Sequence, residues 1–272
     1  MGEVYWAWDT QLDRPVALKV PRFSGDEGDE LARRLLREAK AAANLNHANI
    51  CRVYDSGVEA GTYFIAMEFI EGRTLSADIT PGHLTSERRS VDLIRKLASA
   101  LAEAHAKGVI HRDLKPGNIL VNERGEPILT DFGLARRSDV AHDVRVTQTG
   151  MLIGSPAYMS PEQADGETGR VGPWSDIYSL GVVLFELLTG QLPFQGSVVA
   201  ILSQVMLKEP PRPPRPSPLR PDLDPRLDVI CLKMMAKRPQ DRFASMIEVE
   251  QALTKWLPSA STNWVGFRVA RN

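Results

Sequence analysis

The chain has 272 residues, 25% charged and 43% hydrophobic, with a formal net charge of −1. It is long enough to bury a large core, and the near-neutral balance excludes a general nucleic-acid binder, which needs a strong basic field. The most apolar helical stretch, Ile177 to Leu188, is short and carries Tyr178, Ser179 and Glu186, so no membrane span is expected. Two cysteines, Cys51 and Cys231, predict buried thiols in a reducing compartment. No charged region followed by an apolar run marks a signal peptide, so the expected location is cytoplasmic.

In chain order, Val4 to Trp8 and Val16 to Val20 read as two antiparallel strands around a polar turn. Ser24 to Glu30 breaks that pattern, and Leu31, Leu35, Leu36, Ala39 and Ala43 follow at helical spacing. Cys51 to Val58 and Thr62 to Phe69 form a second strand pair around Glu59-Ala60-Gly61. Leu93, Ile94, Leu97, Leu101 and Ala104 make one apolar helical stripe that ends at Gly108, a C-cap. Ile119 to Val121 and Ile128 to Thr130 are short strands, and Ser175 is expected to N-cap the helix through Leu188. The proline-rich Glu209 to Pro225 reads as a loop between helices in preference to an SH3 ligand. Ser245-Met246-Ile247-Glu248 fits a capping box that opens a last helix carrying Ile247, Leu253 and Trp256. The layout predicts an α+β fold, with a small sheet-rich lobe before a larger helical one.

The chemistry concentrates in His111-Arg112-Asp113-Leu114-Lys115-Pro116-Gly117-Asn118, followed by Asp131-Phe132-Gly133. A carboxylate that can accept a hydroxyl proton, an amide and a second carboxylate that can hold a metal recur in the order that phosphoryl transfer from ATP requires. Alone, Asp113 and Asn118 would be ordinary turn caps. His111 beside Val109-Ile110 reads as a packed histidine, and the histidines show no zinc-ligand spacing.

With Val16-Ala17-Leu18-Lys19 and Ser160-Pro161-Glu162, these strings resemble the signature of Hanks-type (eukaryotic-like) serine/threonine protein kinases of bacteria, from Gly2 to about Leu257. The resemblance implies a bilobal kinase domain over 1–257, with lobes 1–69 and 70–257, that uses ATP and Mg2+, with Mn2+ as an alternative. It implies transfer to Ser/Thr hydroxyls of protein substrates, with self-association for autophosphorylation. Asp113 would be the base, Lys115 would reach the transferred phosphate, and Asn118 and Asp131 would hold the metal. Lys19 would neutralise ATP phosphates and pair with Glu38. Gly2 would close the phosphate-covering loop, the backbone of Glu68 and Ile70 would meet adenine, and Val4, Ala17 and Leu120 would sandwich its ring. Thr147, Thr149 and Ser155 fall in the implied activation segment, with Thr147 or Thr149 as autophosphorylation sites and Arg112 as their cationic partner. His111 would stack on Phe132, Asp176 would hold the catalytic loop, and Glu162 would pair with Arg242.

Two departures matter. Gly2-Glu3-Val4 fits only the end of Gly-x-Gly-x-x-Gly-x-Val, and the preceding strand is missing, so an N-terminally truncated domain is expected. That leaves an impaired pseudokinase or nucleotide-binding scaffold as the alternative function. A small-molecule phosphotransferase is disfavoured by the Ser160-Pro161-Glu162 segment. The 258–272 tail contains Gly-Phe-Arg-Val, which resembles the closing strand of a sulfatase-modifying-factor fold; it reads either as a remnant of a second domain or as a disordered end.

Overall fold

The structure is a computed structural model that describes residues 2–21, 28–79, 84–132, 156–166, 168–207 and 214–257. The expectations for Gly133, Thr147, Thr149, Ser155 and the 258–272 tail fall outside these residues.

The first lobe is a four-stranded antiparallel sheet in the order β1-β2-β4-β3, formed by β1 (Glu3–Asp9), β2 (Arg14–Val20), β3 (Val53–Glu59) and β4 (Thr62–Glu68). Both predicted strand pairs form. The β3–β4 turn is made by Ala60 (φ 49°) and Gly61 (φ 79°), the double left-handed geometry that matches strand twist in a two-residue hairpin. β1 and β3 are the edge strands of this sheet among the described residues, and Trp6 of β1 is 61% exposed. The helix α1 (Gly28–Ala43) packs on β3, with Leu35 and Ala39 buried against Cys51, Ile65 and Met67.

The second lobe begins with β5 (Gly72–Thr74) and α2 (Leu75–Asp78), followed by the long α3 (Glu87–Ala106). The α3 stripe is buried as its periodicity predicts, and Gly108 (φ 74°) takes the left-handed position just past the helix end. Strands β6 (Ile119–Asn122) and β7 (Pro127–Leu129) complete a three-stranded sheet in the order β5-β6-β7. Then come α4 (Pro161–Ala164), α5 (Pro173–Thr189), α6 (Val198–Met206), α7 (Pro225–Met234) and α8 (Met246–Trp256). Residues 214–224 between α6 and α7 contain no helix or strand, as the loop reading expects. α5 is apolar nearly all round and buried nearly all round, so α3, α7 and α8 pack on it in one core.

Two sequence expectations are corrected here. Gly172, not Ser175, is the N-cap of α5, because Pro173 starts the helix one turn earlier; Ser175 lies in the first turn and accepts a bond from Gly172 N at 3.2 Å. Ser245 does cap α8, accepting from Glu248 N at 3.3 Å, but Ile247 is 54% exposed. The buried stripe is Met246, Val249 and Leu253, one residue out of phase with the expected Ile247.

The lobes are stitched through residues 49–51. Cys51 N donates to Leu129 O (2.8 Å) and Leu129 N to Asn49 O (2.9 Å), a parallel bridge centred on Ile50. Asn49 Nδ2 adds a buried bond to Pro127 O at 2.7 Å. This strap fixes β7, and with it Asp131, relative to the first lobe.

Candidate active site

The site is built where β2, α1 and the two turns flanking β6 and β7 meet. β2 sets Ala17 and Lys19 on one face, because alternate strand residues share a side. Lys19 Nζ donates to Asp131 Oδ1 at 2.7 Å, a bond between residues 112 apart in sequence that joins the two lobes. The expected Lys19–Glu38 pair is therefore corrected: Glu38 pairs instead with Arg112, at 3.6 Å. The reason lies in tertiary placement. α1 brings Glu38 to Arg112, the residue before Asp113, and the strap brings Asp131 to Lys19, so Lys19 meets a different carboxylate from the one expected.

Asp113, Lys115 and Asn118 converge as their short spacing predicts. Pro116–Asn118 forms a single 3-10 turn, which folds Asn118 back over Asp113. Asn118 Nδ2 donates to Asp113 O (2.7 Å) and Oδ2 (2.9 Å), and Lys115 Nζ donates to the same Oδ2 at 2.7 Å. Asp113 Oδ1 carries no hydrogen bond among the described residues. Because the Asn118 amide donates through Nδ2, its Oδ1 is left as an acceptor. Thr130 N and Oγ1 both donate to Asn118 O, at 3.0 and 3.1 Å, so the turn that carries Asn118 and the one that carries Asp131 are held together. Two oxygen donors on neighbouring turns, an amide and a carboxylate, fit a hard divalent cation that keeps some of its waters.

Arg112 (φ 67°) and Asp131 (φ 62°) both adopt the left-handed backbone that side chains disfavour. Such strain persists only where neighbours over-determine it. Asp176, on the first turn of α5, accepts from His111 N and Arg112 N, each at 2.9 Å, and from His105 Nε2 at 2.7 Å. Burial works to raise this carboxyl, but the bond from His105 and the charges of His105 and His111 outweigh it and hold it below the usual range. His111 lies 4.8 Å from Phe132, ring to ring, and its Nε2 donates to Thr130 O at 2.9 Å. The ring is fully buried, with Nε2 engaged and Nδ1 without a hydrogen-bond partner among the described residues.

The remaining expected residues are more dispersed. Val4 pairs with Lys19 across β1 and β2 but is 59% exposed, while Ala17 and Leu120 are half-buried. Gly2 has a local reason for being glycine: a Cβ there would lie 2.4 Å from Val20 O. Glu68 ends β4, and its carbonyl accepts weakly from Cys51 Sγ at 3.6 Å; Ile70 packs against the first-lobe core. Burial, then the charges of Glu68 and Asp131, push the Cys51 thiol up to about 12, so it is an inert core group. Glu162 and Arg242 form the expected buried pair at 2.8 Å.

Two participants escaped the sequence reading. His105 sits under Asp176, although a lone histidine six residues before His111 gave no local signal. Gln163 was legible in principle: Ser160-x-x-Gln163 is a capping box, and Gln163 also donates to Arg112 O at 2.6 Å. Among the described residues, no group of three or more His, Cys, Asp or Glu side chains is arranged to hold a metal, and no helix is long and apolar enough to cross a membrane.

Comparison with known proteins agrees with this geometry. The protein kinase domain family model matches residues 1–256. The chain is 41% identical over 251 residues to the serine/threonine-protein kinase PrkC of Bacillus subtilis (strain 168), covering 92% of this chain and 38% of that protein. It is also 41% identical over 254 residues to the serine/threonine-protein kinase Pkn3 of Myxococcus xanthus, covering 90% of this chain and 46% of that protein. The chain thus spans less than half the length of these two relatives. The crystal structure of the Mycobacterium tuberculosis PknI kinase domain superposes with a TM-score of 0.73 at 30% identity, covering 94% of this chain and 91% of that one. With the bilobal α+β fold, the convergent Asp113–Lys115–Asn118 cluster and a family match over nearly its whole length, the chain belongs to the protein kinase family, in its bacterial Hanks-type branch.

Proposed function

We propose that this chain transfers the γ-phosphoryl group of Mg-ATP to serine and threonine hydroxyls of proteins, as the catalytic domain (1–257) of a cytoplasmic signalling kinase. The observation that carries this reading is the Asp113 carboxylate, with Oδ2 held by Lys115 and Asn118 and Oδ1 left to accept a proton. Asp113 orients the substrate hydroxyl and takes its proton, while Lys115 stays close enough to steady the charge on the transferred phosphate. Asn118 Oδ1 and Asp131 would hold the metal, and Mg2+, or Mn2+ in its place, would supply neutralisation of the phosphate charge. Lys19 neutralises the inner phosphates, and Val4, Ala17, Leu120 and the 68–70 backbone receive the adenine. Transfer requires Lys19 to exchange Asp131 for Glu38, since a protein kinase works with that pair formed. A phosphate on Thr147 or Thr149 would draw Arg112 from Glu38 and favour the exchange.

The cross-pairing of Lys19 and Glu38 favours a second reading, a nucleotide-binding scaffold. Incubation with labelled ATP, magnesium and a generic protein substrate separates the two. Transfer that drops by about 10²–10⁴-fold in Asp113→Asn, with an unchanged melting temperature, supports the kinase. Nucleotide binding without transfer in the unaltered chain supports the scaffold.

A further inference from the structure

We propose that Gln163 is a positioning residue for the catalytic base, holding the peptide group between Arg112 and Asp113 in the orientation that phosphoryl transfer needs. The inference rests on the kinase reading above. It starts from the left-handed Arg112, whose two flanking peptide groups must be held from outside. The preceding side is held by Asp176, which accepts from His111 N and Arg112 N. The following side, whose carbonyl belongs to the peptide leading directly into Asp113, is held by Gln163 Nε2 at 2.6 Å.

The amide orientation of Gln163 follows from its partners. Its Oε1 accepts from Ser160 N and Ser160 Oγ, both at 3.0 Å, so the group facing the Arg112 carbonyl must be the donor. One side chain thus closes the N-terminus of α4 and reaches across 51 residues to the backbone of the catalytic loop. Arg112 itself pairs with Glu38 on α1, so the tether meets the loop at the point where the first lobe also touches it. A displacement of about 1 Å in a catalytic group can cost about 10²-fold in rate, so releasing this peptide should act on the chemical step while leaving nucleotide binding intact.

Gln163→Glu tests the idea, because the new carboxylate keeps an acceptor for Ser160 and loses the donor to Arg112. The expected result is a kcat about 10- to 100-fold lower near neutral pH, with KM for ATP unchanged. The ratio of variant to unaltered kcat should rise as pH falls and the introduced carboxyl takes up a proton, because a protonated carboxyl can donate to the Arg112 carbonyl again. Ser160→Ala, which removes the Ser160 hydroxyl from the cap but leaves Ser160 N and the Gln163 Nε2 donor in place, should keep kcat within about 2-fold. A Gln163→Glu kcat equal to that of the unaltered chain, or a loss independent of pH, overturns the proposal. An arm free of activity accompanies these: in the isotope-labelled chain, the Arg112 carbonyl carbon and Asp113 amide nitrogen resonances should shift in Gln163→Glu and not in Ser160→Ala. Unmoved resonances overturn the tether even if the variant is slow. If the unaltered chain transfers no phosphate, the kinase reading fails, and the resonances still decide whether Gln163 holds the loop.

Discussion

Glu162 and Arg242 show how much a single buried pair can demand of its surroundings. All five guanidinium donors of Arg242 are used: Nη1 on Glu162 Oε1 (2.8 Å) and Trp174 O (2.8 Å), Nη2 on Glu162 Oε2 (2.9 Å) and Lys237 O (3.1 Å), and Nε on Ala236 O (2.7 Å). Ser175 Oγ donates to Glu162 Oε1 as well, at 2.7 Å. Burial works to raise the Glu162 carboxyl, but Arg242 and Ser175 outweigh it, and the net position lies below the ordinary 4.5. A depressed carboxyl contributes stability that is complete above its unfolded value and fades as pH falls through the lower folded value. Glu162→Gln should therefore cost about 3–5 kcal/mol near neutral pH, because it leaves the Arg242 charge buried without its partner. Urea unfolding as a function of pH should also show a shallower loss of stability below about pH 4.5 in the variant than in the unaltered chain. An equal slope would mean that Glu162 is not the group titrating. This pair was legible only through the family resemblance, since nothing local links residues 80 apart in sequence.

Local patterns predicted the elements well and their edges less well. The stripe on α3 and the glycine after it both appear where periodicity and capping put them. The failures at α5 and α8 are of phase and not of type: the N-cap of α5 is Gly172 and not Ser175, and Met246 takes the buried place expected of Ile247. Which of two adjacent apolar residues faces inward depends on the neighbour, which here is the core around α3 and α5. Gly181 makes the same point. It sits inside α5, where alanine is the better helix former by about 1 kcal/mol, yet a Cβ there would lie 2.7 Å from Met234 Cβ and 2.9 Å from Met235 Cγ. The backbone-proximal Met234 Cβ cannot swing away, so overpacking should win. Gly181→Ala is expected to destabilise the chain by about 1–3 kcal/mol, read as a lower midpoint in thermal or urea unfolding. A stabilised variant would show that α5 and α7 can separate freely.

At the scale of the molecule, the lobes meet through the 49–51 strap and through two ion pairs, Lys19–Asp131 and Arg112–Glu38. Three of these four ion-pair residues have proposed parts in nucleotide or metal binding, so nucleotide should stabilise the whole chain. Mg-ATP at a hundredfold excess over its Kd should add about 2.7 kcal/mol, or roughly 5–10 °C in Tm for a domain of this size. Lys19→Met should remove most of that shift, and an undiminished shift would place the nucleotide elsewhere. The sequence by itself determined the Asp113–Lys115–Asn118 cluster and the element order, because those three residues lie close together in the chain and strand and helix periods are local properties. Only the tertiary structure decided who pairs with whom across the lobes. Lys19, Glu38, Arg112 and Asp131 are charges of suitable sign in any order, and the placement of α1 and β7 selects which of them come within hydrogen-bonding distance. The same holds for Gln163. Its capping box is written in four consecutive residues, but its reach to the Arg112 carbonyl exists only because the fold sets α4 beneath the catalytic loop.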